Sequence, residues 1–279
     1  PGLTVRRVYL YIDENASTKA RSVPLEIYYT PTGEQTPTTP TQTLEIDQAG
    51  LLKAIINDDG TLRTVYMETY EEYLDYYDPM SDFNSEQKYD GLPWGANGQE
   101  IGNIGSIIGI GGTDCSQNFT KGVNFTPFIV GKIDPNQSKM TLHEVPQTAA
   151  AYALNKNKRN ADGTIPKVEW YLPGIREIEQ AILPYYNDFP EFQGNYYWSS
   201  AAGEERNHIL GINEDRGRAR ATKAKYYPGG ENNPDAPKNV NWNGEYCYIK
   251  SGVDEDGWLL RTTVCRIRCI RIPDGVIDE

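Results

Sequence analysis

Histidine is nearly missing from this sequence: His143 and His208 are the only two in 279 residues. Histidine-rich metal centres are therefore excluded, and an imidazole general base has two candidates. No apolar run reaches the ~18 residues of a transmembrane helix. Basic charge is scarce, with 27 Lys and Arg against 39 Asp and Glu, for a net charge of −12. Such a chain repels phosphate backbones and anionic lipid, which makes nucleic acid and membrane surfaces poor partners. The glycine-rich stretch at 101–114 contains no Gly-Lys-Ser/Thr. Its Gly109-Ile-Gly111-Gly112-Thr-Asp114 segment lacks the last glycine of a dinucleotide fingerprint, and no clear helix follows, so its glycines read as turn residues. There is no Gly-x-Ser-x-Gly around Ser200, although His208 and Asp215 follow it. Carboxylates are abundant, but no pair is singled out for glycoside hydrolysis. The chain opens on Pro1-Gly2-Leu3-Thr4 without a visible signal peptide and reads as a trimmed fragment.

Aromatic and turn-forming residues are plentiful. The 20 Tyr, 5 Trp and 6 Phe must supply much of the core, and 26 Gly with 18 Pro point to a loop-rich fold. The cysteines are Cys115, Cys247, Cys265 and Cys269, with no Cys-x-x-Cys among them, which argues against zinc and thioredoxin-type redox sites. An even count with wide gaps permits disulfides in an exported protein, and buried thiols are the alternative. Along an extended strand Cys265 and Cys269 would stand ~13 Å apart, too far to pair with each other.

Residues 3–12 and 23–30 read as strands separated by a turn. A polar Thr/Pro tract at 31–43 then marks a linker, so the expected organisation is a β-rich N-terminal segment, 1–43, followed by a domain over 44–279. Residues 44–56 are ambiguous, and Asn57-Asp-Asp-Gly60 is a turn. Tyr66, Tyr70, Tyr73 and Tyr77 recur at spacings of four, three and four, which predicts a helix over 65–77 with one aromatic face. Further on, strands are expected at 125–133, 168–172, 196–200, 209–213, 217–224, 246–250 and 262–272. Helices are expected at 146–157, opened by Pro146 and rich in Ala, and at 173–183. Strand, helix, strand, helix and then only strands is an α+β order.

Four segments in that order carry a resemblance. They are Trp170-Tyr-Leu-Pro173, Arg176-Glu-Ile-Glu179, Tyr197-Trp-Ser-Ser200 and Arg268-Cys-Ile-Arg271 behind an Ala-rich helix. Over roughly 125–273 the chain resembles the C-type-lectin-like domain of Bacteroidetes surface and fimbrial-tip proteins, and is similar to the Fibrobacter major paralogous domain. The resemblance implies two helices, a twisted antiparallel sheet and long loops that do the binding. It also implies that Trp170 and Trp198 are core aromatics, and that Ser199 and Ser200 are hydrogen-bonded strand-end residues.

Gly230-Glu-Asn-Asn-Pro234 and Trp242-Asn-Gly-Glu-Tyr-Cys247 echo the calcium and sugar motifs of animal C-type lectins. The Glu-Pro-Asn order is scrambled, and Gly244 stands where a ligating Asp would be. Glu231, Asn233, Asp235 and Asn243 are the calcium candidates, since calcium takes about six to eight oxygens. Arg216, Arg218 and Arg220 alternate with Gly217, Ala219 and Ala221, a pattern expected to make a basic strand face suited to an acidic glycan or protein loop. Trp94, Tyr226, Tyr227, Asn232, Asn233 and Trp242 are the remaining candidate contacts, drawn from polar stretches at 78–100 and 226–245.

The expected function is non-catalytic: an extracellular adhesin or fimbrial-tip module that binds a glycan or a host or partner protein. One alternative is an assembly subunit that joins other fimbrial subunits by β-augmentation through its N-terminal strands. The other is an enzyme of a related fold.

Overall fold

The computed structural model describes residues 12, 15, 17, 19–30, 33–35, 37–58, 60–69, 75–76, 89–95, 126–127, 129–130, 148–188, 195–202, 218–236, 238, 241–248 and 258–273. The fold is α+β. Two compact units divide the chain: Pro1–Leu52 with Glu68–Tyr70, and Lys53–Met67 with Glu71–Glu279.

In the first unit, β1 (Arg21–Ile27) and β2 (Gln42–Gln48) pair antiparallel. Val23 lies opposite Ile46 and Leu25 opposite Leu44, while Ser22–Asp47 and Pro24–Glu45 pairs alternate onto the other face. The ribbon is thus apolar on one face and acidic on the other. Its apolar row stays partly in water, with Val23 45% and Leu44 41% exposed. The strand expected at 23–30 therefore starts at Arg21 and stops at Ile27. Of the strand expected at 3–12 only Ile12 is among the described residues, and the segments at 101–114 and 209–213 lie outside them.

β3 (Leu51–Asp58) and β4 (Thr61–Glu68) meet at the expected turn, where Gly60 donates its N–H to Asn57 Oδ1 at 2.8 Å. The helix predicted over 65–77 is not formed. Val65 and Met67 are wholly buried while Tyr66 between them is half-buried, a period of two rather than 3.6. The β-branched Thr61, Thr64 and Val65 suit that extended backbone. β5 (Asp75–Tyr76) then pairs with β6 (Tyr89–Asp90), and β7 (Leu92–Pro93) follows. The strand predicted at 125–133 is also corrected. Residues 126–127 and 129–130 are helical.

The central sheet has the order β3-β4-β16-β8, in which the late strand β16 (Ile270–Arg271) sits between β4 and β8 (Trp170–Tyr171). Ile270 pairs with both Met67 and Tyr171, so the end of the described chain closes the core. Helix α1 (Ala149–Asn155) starts later than expected, at N-cap Thr148, whose hydroxyl accepts from the Ala151 N–H. Ala149 through Leu154 are all buried. At its end the Asn157 side chain donates to Leu154 O (3.1 Å) and Trp170 O (2.8 Å). It accepts from the N–H groups of Glu169 (2.7 Å) and Trp170 (2.8 Å), tying the helix to β8.

The single helix predicted at 173–183 is instead a short α2 (Ile175–Glu177), a π turn (Ile178–Ile182) and a 3-10 segment (Leu183–Asp188). In the π turn Leu183 donates to Ile178 O, five residues back. Widening the turn just ahead of Pro184 fits a residue that has no N–H for the ladder.

β10 (Arg218–Thr222) lies between β9 (Tyr197–Ala202) and β14 (Trp258–Leu260). β15 (Val264–Cys265) pairs with β7. Trp94 and Trp198 are both wholly buried and lock these pieces together. Trp94 Nε1 donates to Ser199 O (2.8 Å), and Trp198 Nε1 donates to Leu92 O (3.0 Å). Gly91, at φ 136°, lies so near the β15 backbone that a Cβ there would overlap the Cys265 carbonyl. The strand expected over 262–272 is thus split between two sheets, which separates Cys265 from Cys269. Trp170 and Trp198 are core aromatics, as expected. Ser199 Oγ donates to Arg220 O at 2.7 Å, whereas the buried Ser200 hydroxyl has no hydrogen-bond partner among the described residues. Both serines sit inside β9 rather than at its end.

Candidate recognition site

Three short strands frame the region at 224–248. β11 (Ala224–Tyr226) and β12 (Asn241–Asn243) flank β13 (Tyr246–Tyr248). Lys225 and Trp242 are both opposite Cys247, whose side chain is buried. The connection from β11 to β12 is long, and polar groups of its own close it. Tyr227 N–H donates to Glu245 O (2.8 Å), and Gly229 N–H donates to Glu245 Oε1 (2.7 Å). A 3-10 turn, Gly230–Asn232, follows. Asn233 staples the turn on both sides: its Nδ2 donates to Pro228 O (2.8 Å), and its Oδ1 accepts from Asp235 N–H (2.9 Å). A Cβ on Gly230 would stand 2.7 Å from Gly244 O, so glycine is required where the two halves of the loop touch.

On this frame Tyr227 and Trp242 meet edge to face, with ring centroids 5.8 Å apart and planes at 69°. Both rings are half-buried. On the same loop Glu231, Asn232, Asp235, Lys238 and Glu245 are exposed. The chemistry on offer is an apolar ring surface beside carboxylates and one amide, held by a loop whose own hydrogen bonds limit its freedom to rearrange.

The other candidates from the sequence are not on this surface. Trp94 was expected to contact ligand, but it is wholly buried, with the Arg261 guanidinium 4.8 Å from its ring centroid. Its indole is committed to Ser199 O, so it serves the core. Nor does Arg220 face solvent. It is wholly buried because β10 is the middle strand of its sheet, and Ala219 and Ala221 on the alternate face are buried too. The expected basic face is therefore not formed at Arg220. Arg216 and the side chains of Arg218 and Tyr226 lie outside the described residues.

Of the calcium candidates, Glu231 and Asp235 are exposed, Asn233 is engaged within the loop, and the Asn243 side chain lies outside the described residues. No group of three or more His, Cys, Asp or Glu among the described residues is placed to hold a metal ion. Cys115, His143 and His208 are outside the described residues. Cys247, Cys265 and Cys269 are buried as thiols, and burial pushes the Cys265 thiol up to about 12. Arg268, beside Cys269, is buried as well.

Sequence reasoning also missed a buried polar cluster that joins β4, β8 and α2. Glu177 is wholly buried. Its Oε1 accepts from Arg63 Nη2 and from Tyr171 Oη (3.0 Å), and its Oε2 accepts from the Gly174 N–H (2.6 Å). Arg63 Nη1 also donates to Tyr171 Oη at 3.0 Å. Burial pushes the Glu177 carboxyl up to about 7, against the pull of Arg63, Gly174 and Tyr171 in the other direction. Burial likewise holds the Tyr171 phenol well above its ordinary value. Both carboxylate oxygens are occupied by groups that anchor the start of α2, so the cluster acts as a structural tie. The one signal that could have found it is Glu177 three residues after Gly174, the spacing at which a carboxylate reaches back to the N-cap N–H.

No helix among the described residues is long and apolar enough to cross a membrane. Compared with family models, with curated proteins and with solved structures, the chain has no match.

Proposed function

We propose that the chain is a non-catalytic recognition module with the C-type-lectin-like architecture its segment order resembles, acting extracellularly as an adhesin or fimbrial-tip subunit. Its binding surface is the 227–245 loop, and its ligand is a glycan or a partner protein. The observation that carries this reading is the half-exposed Tyr227–Trp242 pair on a loop stapled by Asn233 and Glu245. Aromatic rings held on a rigid frame supply contact area at little entropic cost. Screening the wild-type chain and Trp242→Ala against glycan and protein arrays, with and without calcium, tests it. A ligand lost in the variant is expected, and ligands that bind both alike refute it.

A second reading, an assembly subunit, is favoured by the ribbon of β1 and β2, whose apolar row is left partly in water. Such a ribbon suits β-augmentation by another subunit. Deleting residues 1–43 is then expected to abolish assembly while the rest stays folded. Unfolding of the remainder would count against this reading.

A further inference from the structure

The geometry points to a cationic ligand group, a lysine or arginine side chain on a partner protein, as what the Tyr227–Trp242 surface receives. The inference rests on the recognition reading above and names the ligand class for that surface. The aromatic faces themselves favour a cation, because the ring quadrupole attracts positive charge. This fold already uses that contact: Lys223 Nζ lies 4.4 Å from the Tyr196 ring centroid, and the Arg261 guanidinium 4.8 Å from that of Trp94. The charge of the loop that carries the pair agrees. Glu231, Asp235 and Glu245 are exposed on the loop against the single exposed cation Lys238, among the described residues. An acidic glycan would meet carboxylates here, and Arg220, one of the three arginines expected to receive it, is inside the core. Hydrogen bonds tie two of these residues into the loop that carries Tyr227. The Glu245 carbonyl accepts from the Tyr227 N–H and its carboxylate from the Gly229 N–H, while the Asp235 N–H donates to Asn233 Oδ1. A protein source is favoured over a free small cation, because the carboxylates spread along the loop and suit several basic groups of one peptide segment.

The test is calorimetric titration of the whole chain with a short Lys-Gly repeat peptide, its Nε-acetylated form, its Nε-trimethylated form and a neutral oligosaccharide. The lysine and trimethyl-lysine peptides are expected to bind and the acetylated peptide is not, because only the first two keep the charge. Trp242→Ala is expected to weaken the lysine peptide about five-fold or more, and Trp242→Phe less. The exposed double variant Glu231→Gln/Asp235→Asn is expected to weaken it too, without unfolding. Equal binding of the acetylated and unmodified peptides would overturn the proposal. So would lysine-peptide binding that Trp242→Ala leaves unchanged, since that is general attraction to an acidic chain. If the oligosaccharide binds in a Trp242-dependent way and the lysine peptide does not, the recognition reading stands and the cationic ligand falls. If no probe binds through Trp242, the cationic ligand falls.

Discussion

Replacing Asn157 by Ala removes a side chain that bonds four partners besides a longer contact at Ala153 O. Leu154 O and Trp170 O lose a donor, and the Glu169 and Trp170 N–H groups lose their acceptor. The residue is 6% exposed, and Trp170 beside it 8%, so water replaces these bonds poorly. Three of the bonds are short, at 2.7 to 2.8 Å. At about 1 kcal/mol net for each, the substitution costs about 3 kcal/mol, and more if the two N–H groups stay unsatisfied. Against a total stability of about 5–15 kcal/mol that is a large share. Urea unfolding followed by tryptophan fluorescence is the assay, because all five tryptophans belong to the second unit. The midpoint should fall with an unchanged slope. Asn157→Asp keeps the acceptor for the two N–H groups and loses the donors, so it should differ from Ala in size. A loss below about 1 kcal/mol for Asn157→Ala would refute the view that this side chain ties α1 to β8.

Three further outcomes are expected. Glu177 has a folded-state value of about 7 against an ordinary 4.5. The folded state therefore holds this proton more tightly, so the contribution is full below pH 4.5 and is lost as pH rises through about 7. Stability should decline across that window in the wild type, and Glu177→Gln should flatten the decline; an unchanged slope in the variant rules the assignment out. Cys265 should resist iodoacetamide at pH 8 in the native protein and react once urea unfolds it, because burial keeps its thiol protonated; rapid native labelling, located by mass spectrometry, contradicts this. Gly91→Ala should destabilise by a few kcal/mol, on the order of 1–3. Both its positive φ and the Cys265 carbonyl oppose a Cβ there, and a neutral effect on the thermal midpoint would show that the strands can separate at little cost.

Several elements were legible because one local pattern decided them. The Ala-rich run became α1, and Tyr197-Trp-Ser-Ser200 became β9 with its tryptophan inside. The segment at 65–77 misled because its tyrosines fall at helical spacing, while Val65 and Met67 alternate into the core. Trp94 and Arg220 were misplaced for a non-local reason. Trp94 is covered through Arg261 and Ser199, and Arg220 is inside because β14, nearly forty residues later, flanks its strand. Burial set by such distant pairing leaves no mark on neighbouring residues. At the recognition loop the sequence singled out Tyr227 and Trp242, and the structure sets them against each other. Their neighbour Asn233, expected to contact ligand, is spent on holding the loop.

The central claim is that recognition resides on the 227–245 loop. Its most direct measurement is the dissociation constant of the strongest array ligand for the wild type, Tyr227→Ala and Trp242→Ala, with urea curves recorded on each. The account predicts that both variants lose affinity by about five-fold or more while remaining folded. Unchanged affinity in two folded variants would place recognition elsewhere on the chain.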